Sequence, residues 1–119
     1  MLTGAQVDRR PAGARFEVLK QGDWTVVTVV GEVDLTVTDV LNAHLAAAIE
    51  RADPMQVAVD LTDMVFCDSS GLNSLIRALK LIRAEGGRLV LLRPRKRFAQ
   101  VLETTGLKRV FEVASALPS

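Results

Sequence analysis

The sequence predicts a small α/β domain: a mixed, mostly parallel β-sheet with an antiparallel N-terminal hairpin strand, packed with α-helices. Three observations predict it. Strand-length apolar stretches alternate with apolar residues at helical spacing, in the order β-β-α-β-α-β-α-β, and such alternation implies crossover units and parallel pairing. The first two strands are joined only by Gln21-Gly22-Asp23, a turn of hairpin length. The chain has 119 residues, 49% hydrophobic and 24% charged, which fits one soluble core rather than a disordered chain.

In chain order, residues 1–14 mix Gly, Pro, Ala and charge without periodicity and read as a flexible tail. Arg15–Lys20 and Trp24–Val30 form the hairpin, the second strand rich in Val and Thr. Gly31-Glu32-Val33-Asp34 leads out of it. Val37, Val40, Leu41, Leu45, Ala48 and Ile49 recur at helical spacing over Thr36–Arg51, and Asp53-Pro54 ends that helix. Gln56–Leu61 is a strand. Thr62–Asp68 reads as a loop whose Met64, Val65 and Phe66 dip into the core. Leu72, Leu75, Ile76, Leu79 and Ile82 stripe a helix from Ser70 to Glu85, stopped by Gly86-Gly87. Arg88–Leu92 is a strand, Lys96–Thr105 a helix facing inward through Phe98, Val101 and Leu102, and Arg109–Val113 a last strand. The domain thus spans 15–113, with 114–119 a short C-terminal tail.

Composition excludes several functions. No apolar run approaches the roughly 20 residues of a membrane span, and residues 1–14 lack an apolar signal core, so a cytoplasmic location is expected. One cysteine, Cys67, and one histidine, His44, provide neither an internal disulfide nor a zinc cluster. No metal or cofactor is expected. The net charge of +1 hides an asymmetry: residues 1–76 sum to −6 and residues 77–109 to +8. The basic run Arg93-Pro94-Arg95-Lys96-Arg97 reads first as a solvated loop and helix start, and alternatively as a patch for phosphate or an acidic protein face. Without a wholly basic domain or interleaved aromatics, nucleic-acid binding is not expected.

The stretch with chemistry is Asp68-Ser69-Ser70-Gly71-Leu72, at the start of the central helix. One of Asp68, Ser69 or Ser70 is needed as a cap for the orphan amides of that end. A second hydroxyl is then spare, at a helix terminus that tolerates an anion. Phosphorylation there adds nearly two negative charges without melting the helix. That is a means of switching binding without refolding.

Gly31-Glu32-Val33-Asp34, then Val59-Asp60-Leu61, then Phe66-Cys67-Asp68-Ser69-Ser70-Gly71-Leu72 resembles the STAS domain of anti-sigma factor antagonists. Gly86-Gly87 and Leu102-Glu103-Thr104-Thr105-Gly106-Leu107 look like the same family, and the likeness covers residues 15–113. It implies a bacterial regulator that binds an anti-sigma factor serine kinase and so frees a sigma factor. It implies phosphorylation of Ser69, which blocks binding, and reversal by a PP2C-type phosphatase. Asp34 and Asp68 match acidic positions that support partner contact and phosphoryl acceptance, and Ser70 matches a structural serine. The implied partner-binding set is Asp34, Asp68, Ser69, Ser70, Gly71, Leu72 and Asn73. Asn73 stands where the family often has a small residue, on the helix rim where it would tune partner choice. Cys67 replaces a larger apolar residue and reads as a buried space-filler.

Three other readings are weaker. A serine hydrolase would centre on Ser69, but the first glycine of its elbow is missing and nothing brings His44 to the serine. Nucleotide binding lacks a phosphate-cradling glycine loop and stands only as a weak secondary activity. A STAS scaffold subunit of a signalling or lipid-transport complex needs no switchable serine, which Ser69 beside Asp68 supplies.

Overall fold

A computed structural model describes residues 13–119. The expectation of a flexible tail therefore lies, for residues 1–12, outside the described residues. The elements are β1 (Arg15–Gln21), β2 (Trp24–Val33), α1 (Thr38–Arg51), β3 (Gln56–Cys67), α2 (Ser69–Ala84), β4 (Arg88–Leu92), α3 (Lys96–Thr104) and β5 (Glu112–Ala114). Single 3₁₀ turns occupy Leu35–Val37 and Leu107–Arg109. The five strands lie in sequence order. β1 pairs antiparallel with β2, and every later pair is parallel. The mixed sheet matches the expected fold class.

Local chemistry explains the element ends. Gly22 takes φ +61° in the two-residue turn between Gln21 and Trp24, a conformation a side chain resists. Gly86, at φ +74°, closes α2, with its amide on Arg83 O. The sheet has two faces. Val27, Val29, Val57, Val59, Leu61, Leu89 and Leu91 pack on one side against Leu41, Leu45, Leu75, Leu79, Ile82, Phe98 and Leu102 of the helices. Trp24, Val26, Ala58, Val90 and Leu92 form a smaller cluster on the other.

The structure corrects the sequence reading at β3. Residues 62–67 are not a loop but the continuation of the strand along β2. Two register shifts put extra residues into β3: Thr28 and Val30 face Asp60 and Asp63, and Gly31 and Glu32 face Met64 and Phe66. Each extra residue resets which side chains face the core. Met64 is buried, but Val65 and Phe66 are 45% and 41% exposed, contrary to the expected dip into the core.

Two further differences concern the C-terminal end. Residues 107–109 form a 3₁₀ turn in which Val110 and Phe111 donate their amides to Leu107 O, so the last strand starts only at Glu112. The tail packs: Leu117 covers the smaller cluster, and Trp24 Nε1 donates to Pro118 O at 3.1 Å. Arg88 lies 5.6 Å from the Trp24 ring and ion-pairs with Glu112. Arg93 leaves the basic run to tie strands together. It donates to Thr62 Oγ1 at 2.8 Å and Ser115 O at 3.0 Å, and bridges to Asp60 at 3.1 Å.

Candidate functional site

The motif residues sit where β3 ends and α2 begins. Asp68 is the N-cap of α2, extended at φ −89° and ψ −174°. Its Oδ1 accepts from Ser70 N at 3.0 Å, Gly71 N at 3.2 Å and Ser70 Oγ at 2.5 Å. One carboxylate thus satisfies two orphan amides. The Ser70 hydroxyl bond, opposed by some desolvation and helped by the Gly71, Ser70 and Leu35 amides, holds the Asp68 carboxyl below its ordinary value.

The cap falls on Asp68 with help from Ser70, and Ser69 is left exposed at the first position of the helix. The hydrogen bonds of this helix start are made by its neighbours. Ser69 is thus exposed at a terminus with positive dipole character.

Asp34 reaches the same region by a parallel route. It caps the 3₁₀ turn, accepting from Thr36 N at 2.9 Å and Thr36 Oγ1 at 2.5 Å. Thr38 then links the two acidic caps. Its Oγ1 bonds to Asp34 O at 3.1 Å and to Ser70 Oγ at 3.2 Å. Asp68 N also donates to Val33 O at 3.0 Å. Asp34, Asp68 and Ser70 are therefore brought together, with Thr38 as the residue that sequence reasoning missed. Its one-dimensional signal was a hydroxyl four residues after Asp34.

Gly71 is buried. A Cβ there would lie 2.6 Å from Cys67 Sγ and 2.7 Å from Val33 Cγ1. The glycine lets the helix start rest directly on β2 and β3. Leu72 is half-buried against the core and Asn73 is exposed on the rim. Cys67 is half-buried, and burial followed by the nearby Asp68 charge pushes its thiol up to about 12. It stays protonated and packs as a spacer. Leu35, 74% exposed, projects apolar surface beside Asp34.

His44 Nδ1 lies 2.8 Å from Val40 O and its ring stacks on Phe16 at 5.4 Å. Among the described residues, no group of three or more acidic, His or Cys side chains converges to hold a metal. No helix among them is long and apolar enough to cross a membrane.

The family model for the STAS domain matches residues 15–119. The chain belongs to the STAS domain family. STAS domains are regulatory and non-catalytic. An anti-sigma-B factor antagonist of Bacillus subtilis is 27% identical to this STAS domain over 89 residues, 75% of this chain and 80% of the relative. An anti-sigma F factor antagonist of Paenibacillus polymyxa is 26% identical over 88 residues, 74% of this chain and 75% of the relative. Among solved structures, an anti-sigma factor antagonist from Mycobacterium paratuberculosis superposes with a TM-score of 0.74 at 25% identity, covering 91% of each chain. A STAS domain protein from Planctomyces limnophilus gives 0.76 at 23% identity, over 86% of this chain and 91% of the other, a likeness of fold.

Proposed function

We propose that this STAS domain is an anti-sigma factor antagonist in a partner-switching system. Unphosphorylated, it binds an anti-sigma factor serine kinase and releases the sigma factor. Phosphorylation of Ser69 ends that binding, and a PP2C-type phosphatase restores it. The likeness to named antagonists supports the class of function. One observation supports the switch: Asp68 supplies the cap, so the exposed Ser69 hydroxyl is free for modification. The docking face would comprise Asp34, Asp68, Ser69, Ser70, Gly71, Leu72 and Asn73, in the cytoplasm.

The physics favours a switch by charge. A phosphate at Ser69 gains from the positive end of the helix dipole, so the fold tolerates it. Beside Asp68 and Asp34 it concentrates negative charge on the face where a partner must dock. The test is incubation with ATP and the anti-sigma factor kinases of the same genome, read by phosphoprotein mass. A single phosphoryl group lost in Ser69→Ala is expected. Ser69→Glu should fail to bind the kinase that wild type binds, while its stability changes by less than about 1 kcal/mol. A Ser69→Glu protein that binds like wild type refutes the switch, and one that unfolds refutes the helix-terminus argument.

A further inference from the structure

The end of β3 has features that the Ser69 switch does not use. β4 pairs with β3 only from Gln56↔Arg88 to Asp60↔Leu92, whereas β3 continues along β2 to Cys67. Among the described residues, 61–67 therefore have a strand partner on one edge and none on the other. The chain turns away at Arg93-Pro94 and enters α3, leaving a cleft of about 90 Å³ beside that edge. Val65 and Phe66 line one side of it, and Arg95, Arg97 and Phe98 the other.

Both walls are unusual for a closed surface. Val65 and Phe66 are adjacent, large, apolar and more than two-fifths exposed. Arg95, Lys96 and Arg97 are exposed, and the ion pairs among the described residues are made by other cations. Arg95 occupies the cap position of α3 without offering the acceptor that first-turn amides need. The cleft thus combines a strand edge, apolar contact area and uncompensated positive charge.

We propose that this cleft docks an extended acidic segment of a partner protein that carries one large apolar anchor. The segment lies along the free edge of β3, its backbone pairing with the strand and its anchor resting on Val65 and Phe66. Its carboxylates face Arg95 and Arg97. Main-chain pairing supplies affinity in such strand addition, and side-chain contacts supply specificity. Guanidinium groups suit carboxylates because their donors form a planar fork. A nucleic acid would satisfy the charge but has no peptide backbone to pair with the edge. Residues 1–12 carry Asp8 against Arg9 and Arg10, a poor complement to two arginines. The cleft reaches Cys67, just before the Asp68–Ser69 helix start, so it continues the proposed kinase face.

The test titrates ¹⁵N-labelled protein with the capped peptide DEFDVDE, against the basic control KKFKVKK, to about 2 mM, which detects millimolar binding. Amide shifts confined to residues 61–67 and 93–98, from the acidic peptide only, are expected. Arg95→Glu with Arg97→Glu should weaken binding about tenfold or more, a loss typical of a charged hydrogen-bonded pair. Phe66→Ala should weaken it severalfold, and each variant's spectrum shows whether it is folded. Ser69→Glu should weaken peptide binding less than Arg95→Glu with Arg97→Glu does, which separates this surface from the phosphorylation switch. No shifts, equal shifts from both peptides, or undiminished binding in the Arg95/Arg97 variant would overturn the proposal. So would sedimentation showing a dimer that the peptide dissociates, because a second copy would then be the occupant.

Discussion

Gly71→Ala is the sharpest probe of how the switch region is built. In an unconstrained helix the change is favourable by about 1 kcal/mol, because alanine loses less backbone freedom than glycine. Here the added methyl would stand 2.6 Å from Cys67 Sγ and 2.7 Å from Val33 Cγ1. Ordinary contact begins near 3.4 Å, so the helix start must lift by most of an ångström or the sulfur must move. Val33 is fully buried and cannot retreat into solvent. Two contacts under 3.0 Å place the change in the upper half of what overpacking costs, about 2–3 kcal/mol. The net change is a loss of about 1–2 kcal/mol, equivalent to a fall in Tm of roughly 5–10 °C for a domain of this size. Thermal melts followed by circular dichroism measure it. Cys67→Ala in the Gly71→Ala background removes one of the two obstacles and should recover part of the loss. A Gly71→Ala protein as stable as wild type, or more stable, would show that helix propensity governs this position and would refute the close-approach argument.

Other consequences follow from the same coordinates. The Asp68 carboxyl is held below its ordinary value of 3.8, chiefly by the Ser70 hydroxyl. A depressed folded-state value means that its stabilisation is present above 3.8 and is lost as pH falls through the folded value. Urea midpoints measured from pH 6 downwards should therefore fall less steeply for Asp68→Asn than for wild type below pH 3.8, and parallel curves would contradict the cap assignment. Trp24 is the only tryptophan and there is no tyrosine, so its emission reports directly on the smaller cluster. Leu117→Asp should shift that emission to the red and lower stability by about 1–2 kcal/mol, through lost apolar burial and a weakened Trp24–Pro118 hydrogen bond. An unchanged spectrum would show that the tail does not cover the ring.

Much of the fold was legible in one dimension. Val57, Val59 and Leu61 alternate with the strand period, and Leu75, Leu79 and Ile82 keep the helical one, because each set lies on the one face of its element that meets the main core. The turn at Gly22 and the stop at Gly86 were visible because both need positive φ. The second half of β3 was not legible. Its two register shifts break the alternation, so Leu61 and Met64 are both buried at a spacing of three. A bulge is a property of the pair of strands, and only β2 beside it reveals the phase change. The C-terminal tail was hidden for a similar reason. Leu117 has meaning only once Trp24, far earlier in the chain, lies beneath it.

The site divides in the same way. The sequence alone determined that one acceptor at Asp68-Ser69-Ser70 would cap the central helix and that a hydroxyl would be left over, since both follow from the needs of a helix end. It could not determine which residue played which part. Tertiary structure decided that, because Thr38 and Val33 reach across from the neighbouring elements to hold Ser70 and Asp68. Ser69 remains outside because its neighbours on both sides are already bonded inward. Local propensities are written along the chain, whereas the competition among adjacent polar groups for a few partners is settled only where distant segments meet.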